Sequence, residues 1–135
     1  MRALACRGMG RRSPVWAAAV GWVAVVGCGR PSAPIDAPMA RQALATALES
    51  WQAGDLPAKI RESLPAITMV DPEWEIGQKL ERFEIVGPEV DTGRNLICPV
   101  KLVFKVERGT ETASQVKYVV GTSPVITIFR ERSRF

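Results

Sequence analysis

Few residues in this chain have types and spacing suited to chemistry. A single tyrosine, Tyr118, lies in an alternating stretch. Three carboxylates gather around an aromatic in Asp71-Pro72-Glu73-Trp74-Glu75, and hydroxyls meet backbone amides in Gly121-Thr122-Ser123-Pro124. A phenol beside a carboxylate such as Glu84 would permit proton abstraction next to a carbonyl, one group taking the proton while the other donates to the developing oxyanion. Spacing alone does not bring the two together, so Tyr118 is expected to be a half-buried strand residue. The carboxylates of Asp71–Glu75 lack the looped Asp-x-Asp-x-Asp-Gly spacing that calcium requires, and a solvated turn is expected there, with Trp74 as a lid on the core. Gly121–Pro124 reads as a hairpin turn in which Pro124 holds Ser123 extended. Trp74 and Tyr118 are the candidate pocket residues. The absence of histidine removes Ser-His-Asp and ordinary zinc or haem chemistry. No catalytic residue, metal site or cofactor is assigned.

The most specific signal belongs to a cysteine. A basic segment containing Arg11 and Arg12 runs into Val15–Val26, an uncharged stretch of 12 residues. A bilayer span needs about 20 apolar residues, so the stretch is sized for the apolar region of a secretory signal. It ends in Val25-Val26-Gly27-Cys28, which resembles the bacterial lipobox: an aliphatic residue, a small or aliphatic one, Gly or Ala, then Cys. The resemblance implies that the Cys28 thiol receives diacylglycerol, that signal peptidase II cuts between Gly27 and Cys28, and that the new amino terminus is acylated. Each buried methylene then contributes about 0.8 kcal/mol of membrane affinity. The expectation is an exported protein anchored by lipid to a bacterial membrane and facing the periplasm or the surface. Residues 1–27 are read as the signal, 28–35 as a flexible tether rich in Gly, Pro and small residues, and 36–135 as one domain. Cys6 leaves with the signal and Cys28 takes lipid. Cys98 alone remains, expected as a small buried hydrophobe, and no internal disulfide can form.

Charge narrows the partners. The chain has 18 basic and 14 acidic residues, but Arg2, Arg7, Arg11 and Arg12 precede Cys28, so the remainder is neutral. A nucleic-acid binder concentrates Lys and Arg on its folded domain, so nucleic acid is disfavoured. Arg130, Arg132 and Arg134, interrupted by Glu131, are expected to form a solvated tail. At 47% hydrophobic and 24% charged residues, the composition is that of a globular protein rather than a disordered chain.

The elements follow from periodicity. Asp36 can cap a helix that tolerates Pro38 in its first turn, and Ala40, Leu44, Ala47, Leu48 and Trp51 recur at helical spacing. Gly54 stops it. Asp55 can cap a second, shorter helix striped by Leu56, Ile60 and Leu64 and broken by Pro65. Ile67–Val70 is a short β-prone run. Leu80–Val86, Leu96–Glu107, Ser114–Val120 and Val125–Phe129 then alternate as four strands of an antiparallel meander, with turns at Asp91-Thr92-Gly93 and Arg108-Gly109-Thr110. Pro99 cannot donate to a ladder, which implies an edge or a bulge. The expected fold class is α+β, two N-terminal helices packed on a curved antiparallel four- to five-stranded sheet. Leu44, Leu48, Trp51, Ile60, Phe83, Ile85, Leu102, Phe104, Tyr118, Ile126 and Ile128 should supply much of the core.

The helix reading Ala43-Leu44-Ala45-Thr46-Ala47-Leu48-Glu49-Ser50-Trp51-Gln52-Ala53-Gly54-Asp55 is similar to the opening of nuclear transport factor 2-like domains. Trp74–Leu80 and Tyr118–Pro124 look like stretches of small bacterial lipoproteins with the same layout. The resemblance, over roughly residues 37–131, implies a nuclear transport factor 2-like or cystatin-like domain with a cone between helices and sheet. Enzymes of that superfamily place an acid or base and a polar donor inside the cone, and no residue here carries over by motif. The expected function is a non-catalytic domain that binds an envelope protein or a small ligand. The alternative is an isomerase- or dehydratase-type enzyme using Tyr118 and a cone-facing carboxylate. A third reading is an assembly subunit packing its exposed sheet face on a partner, against which a wet, Lys- and Glu-rich face would count. Nothing in the sequence requires an oligomer.

Overall fold

A computed structural model describes residues 33–132; the expected signal of residues 1–27, Cys28 and most of the expected tether lie outside them. Helix α1 spans Ala37–Gln52. Its start is fixed by Asp36, whose side chain accepts from the Met39 N–H at 3.0 Å, satisfying one of the donors a helix leaves unpaired. Ala40, Ala43, Leu44, Ala47, Leu48 and Trp51 form the buried stripe. Gly54 ends the turn beyond it at φ +87°, a backbone region favouring glycine.

The strands are β1 (Ile67–Val70), β2 (Leu80–Ile85), β3 (Val90–Asp91), β4 (Asn95–Lys105), β5 (Glu111–Gly121) and β6 (Ile126–Arg130), with a single-turn helix α2 at Pro72–Glu75 between β1 and β2. They form one curled sheet in the order β1-β6-β5-β4-β2, with β3 also paired to β4. From β2 onward the strands form the expected antiparallel meander, with register running from Asn95↔Gly121 to Lys105↔Glu111 between the two longest. The fold is α+β.

Three features differ from the sequence expectation. The sheet has six strands rather than four or five, because Val90 and Asp91, the latter read as part of a turn, pair with Ile97 and Leu96. The second helix is reduced to a 3₁₀ turn at Lys59–Glu62, in which only Ile60 is buried, while Leu56 and Leu64 are exposed. Ten residues between Gly54 and Pro65, with Pro57 among them, offer too little length to offset the cost of helix nucleation. Asp55 instead accepts from Ser50 and Lys59. The sheet is also mixed, since β1 pairs with β6 in parallel, Ile67 opposite Ile126 and Val70 opposite Phe129. A parallel partner needs a long return, and here the other strands supply it. The chain leaves β1 at one edge, passes through α2 to β2 at the opposite edge, and comes back strand by strand.

That crossing is held under the C-terminal end of α1. Trp51 and Trp74 stack with ring centroids 5.5 Å apart. Trp51 Nε1 donates to the Gln78 carbonyl at 2.7 Å and Trp74 Nε1 to the Asp55 carbonyl at 2.8 Å. Trp74 is therefore the core lid the sequence implied. The edge or bulge expected at Pro99 is corrected: the residue lies in unbroken register opposite Lys117 inside a central strand. Its carbonyl accepts from Val86 N–H just past the end of β2, so the side on which its N–H is missing faces the gap between β2 and β3. The expected core residues are buried, with Phe83 and Ile85 partly so.

Candidate functional site

Three adjacent strands put one polar row on the inner face of the sheet. Val70 pairs with Phe129, so the next residues, Asp71 and Arg130, stand side by side, and Arg130 is opposite Tyr118 on β5. The Tyr118 hydroxyl donates to Asp71 Oδ2 at 2.5 Å, and the Arg130 guanidinium lies 2.9 Å from the same oxygen while also pairing with Glu73. Asp71 Oδ1 accepts from the backbone N–H groups of Glu73 at 2.9 Å and Trp74 at 3.3 Å, capping α2.

Both carboxylate oxygens are thus engaged by four donors. Asp71 is 1% exposed and is the one buried charged residue among those described. Burial first, then the charge and hydrogen bond of Asp71, push the Tyr118 phenol far above its ordinary value, against the opposing pull of Arg130. Burial works against the charge on Arg130, but its bond to Glu73 and the Asp71 carboxylate outweigh that and hold the guanidinium above its usual value. The expected solvated turn and solvated tail are corrected at two residues, since Asp71, buried, pairs with Arg130, partly buried; Arg132 is exposed as expected, and Arg134 lies outside the described residues. The sequence held two signals for this pair. Asp71-Pro72 is a helix-start dipeptide, and Arg130 continues the inward alternation of Ile126 and Ile128.

Tyr118 meets Asp71 and not Glu84, which is exposed on β2 opposite Lys101. Tyr118 is fully buried rather than half-buried. Neither it nor Trp74, the candidate pocket residues, lines any of the three clefts described. The first, of about 490 Å³, lies between the start of α1 and the β2–β3 connection and is walled by Ala37, Arg41, Ile85, Glu89 and Leu96, with Arg41 and Glu89 ion-paired. The second, of about 380 Å³, is a groove of mixed character in which Met39, Leu64, Ile67 and Ile126 face Asp36, Gln42, Thr46 and Ser63. The third, of about 290 Å³, is on the outer face of β2 and β4. Cys98, opposite Tyr118, is buried as expected. Its thiol is pushed up to about 11, by burial first and then by the charge of Glu89, with Arg41 opposing. Among the described residues no cluster of three or more Cys, Asp and Glu side chains is arranged to hold a metal ion, and no helix is long and apolar enough to cross a membrane.

The outer face carries a second row, one residue out of step with the polar one. Val70, Phe129, Val119, Ile97 and Val90 are successive cross-strand partners on β1, β6, β5, β4 and β3. Val70, Phe129 and Val90 are exposed, Ile97 is partly so, and Val119 is covered by its neighbours. The outer face is therefore wet only beyond this row, where Lys101, Lys105, Glu111 and Lys117 lie and Arg82 bridges to Glu111 across buried Val103. No family model, curated protein or solved structure matches the chain.

Proposed function

We propose that the chain is a lipid-anchored protein of a bacterial cell envelope whose α+β domain binds a protein partner and catalyses no reaction. The observation that carries the binding reading is the apolar row Val70–Phe129–Val119–Ile97–Val90. An uninterrupted file of apolar side chains across five strands is a costly surface to leave in water and suits a partner's apolar face. The non-catalytic reading is supported by the state of Asp71: a general base needs an oxygen within reach of substrate, and both of its oxygens are capped by protein donors. An isomerase or dehydratase would need that pair at the wall of an open cavity. One long helix across a curled sheet supports a nuclear transport factor 2-like or cystatin-like layout, and the order of residues from Val25 to Cys28 supports lipid attachment at Cys28 and export.

Two measurements test the proposal. Intact-mass spectrometry of the membrane fraction should show a chain beginning at acylated Cys28, and Cys28→Ser should accumulate as an unlipidated precursor; an acylated Cys28→Ser chain would refute the anchor. A photoreactive phenylalanine analogue at position 129 should trap a discrete envelope protein, with the adduct lost in a Val70→Glu background. Adducts that survive that change would sink the binding surface.

A further inference from the structure

The ladder registers bring three segments to one end of the sheet. Ile67 is opposite Ile126, Thr127 opposite Gly121, and Gly121 opposite Asn95. The segments 63–66, 122–125 and 92–94 therefore lie together at the level where β1, β4 and β6 begin. The start of the described chain is fixed there too: Ile35 N–H donates to the Gly93 carbonyl and Asp36 N–H to Thr122 Oγ1, both at 3.1 Å. This end is apolar at its tip. Leu64 is 98% exposed, Val125 and Met39 are exposed beside it, and neither Ser63–Ala66 nor Thr122–Val125 carries a charge. The opposite end, where β4 turns into β5, carries Lys105, Glu107, Arg108 and Glu111.

We propose that this end is seated on the lipid bilayer, with Leu64, Val125 and Met39 entering the interfacial layer and Arg94, exposed in the β3–β4 turn, facing the headgroups. The proposal rests on the reading of Cys28 as the lipid attachment site. What selects a lipid surface as the occupant is the reach of the chain. Cys28 stands five residues before Ala33, an extended span of at most about 18 Å, whereas the paired strands β4 and β5, of 11 residues each, extend about 36 Å. An acylated Cys28 keeps the end bearing Leu64, Val125 and Met39 near the membrane and leaves the charged β4–β5 turn free to stand away from it. Held this close, the surface is met at high effective concentration, and a few apolar side chains suffice to seat the domain. The outer row then faces sideways, open to a partner in the plane of the membrane.

The experiment uses the full lipidated chain in vesicles of phosphatidylethanolamine and phosphatidylglycerol with brominated acyl chains. An environment-sensitive fluorophore is attached in turn to Leu64→Cys, Val125→Cys and Glu107→Cys; Cys98 is fully buried and escapes labelling. Labels at 64 and 125 should be quenched by the brominated chains about threefold or more strongly than the label at 107. Equal quenching at the three positions, in protein whose mass shows an acylated Cys28, would overturn the seating and leave the anchor standing. A label at 64 shielded from aqueous iodide yet untouched by brominated lipid would mean that a second chain covers this end, and would overturn it equally. Protein without acyl mass would overturn the anchor and the seating together.

Discussion

The Tyr118 hydroxyl reaches Asp71 Oδ2 at 2.5 Å across a sequence separation of 47 residues, joining β5 to the first residue beyond β1. Strand β6 lies between the two, and its Arg130 completes the contact. The Tyr118–Asp71 pair resembles the beginning of a reactive dyad by residue type, but its geometry is that of a joint. The phenol proton points into a carboxylate that simultaneously caps α2 and neutralises a guanidinium, leaving no oxygen to act on another molecule.

Tyr118 is the sole tyrosine, so its ionisation is directly readable. The folded phenol lies far above its ordinary value of 10.0, for which burial and then Asp71 are responsible. The folded state therefore holds the proton more tightly than the unfolded chain does. The resulting stability is complete below about pH 10 and is lost as pH rises from there toward the folded value. In a spectrophotometric titration, phenolate absorbance should appear only together with loss of the near-ultraviolet circular dichroism of the tryptophans. Reversible ionisation near pH 10 in a still-folded chain would contradict the burial of the pair.

The two partners of this contact should not be equally sensitive to replacement. Asp71→Asn removes the buried charge facing Arg130, leaves Glu73 as the one remaining counter-charge of that guanidinium, and costs about 2–3 kcal/mol. Tyr118→Phe removes one hydrogen bond while Arg130 and the backbone donors still serve the carboxylate, a cost of about 1–2 kcal/mol. Urea unfolding monitored by tryptophan fluorescence measures both. Equal losses, or a larger one for Tyr118→Phe, would mean that Arg130 does not depend on Asp71.

The same residues show what periodicity conveys and what it does not. Alternation in Leu96–Phe104 assigns each side chain to a face, because a strand has a repeat of two, and those faces are the ones observed. The helical stripe ending at Trp51 was legible for the corresponding reason. Asp71 and Arg130 were not, because hydropathy places a charged residue in water unless its partner is known. Here the partners come together only through the parallel β1–β6 pairing, which depends on how the whole meander closes. The outer row has the same origin: Val70, Phe129 and Val90 are unremarkable one by one and form a file only through the registers of four strand pairs. The lost second helix was a local failure, since an apolar residue every fourth position in Leu56, Ile60 and Leu64 implies a stripe only where the intervening backbone can sustain a helix.

The outer row separates binding from folding. Phe129 is exposed, packs on the face away from the core and makes no hydrogen bond through its side chain, so Phe129→Gln should change unfolding free energy by no more than about 0.5 kcal/mol. The same substitution should abolish co-purification of the partner trapped from position 129. A loss of several kcal/mol in urea would show instead that the row belongs to the fold. Val119, covered by its neighbours, provides the contrast: Val119→Gln buries an amide without partners and should cost about 1–3 kcal/mol.

Cys98 tests whether the core opens near Tyr118. Its side chain is fully buried, and its thiol, pushed up to about 11, carries little thiolate at neutral pH. A disulfide reagent added to the full chain with Cys28 acylated should therefore react at a rate set by opening of the fold, rising in parallel with urea-induced unfolding. Asp71→Asn should accelerate that reaction. Cys98 faces Tyr118 across β4 and β5, and loosening the Asp71 joint frees the strand pairing that covers the sulfur. Tyr118→Phe should accelerate it less, in the ratio set by the two stability losses. Fast labelling of the unaltered chain in native buffer, at a rate indifferent to either substitution, would mean that solvent reaches the sulfur by a route the joint does not control.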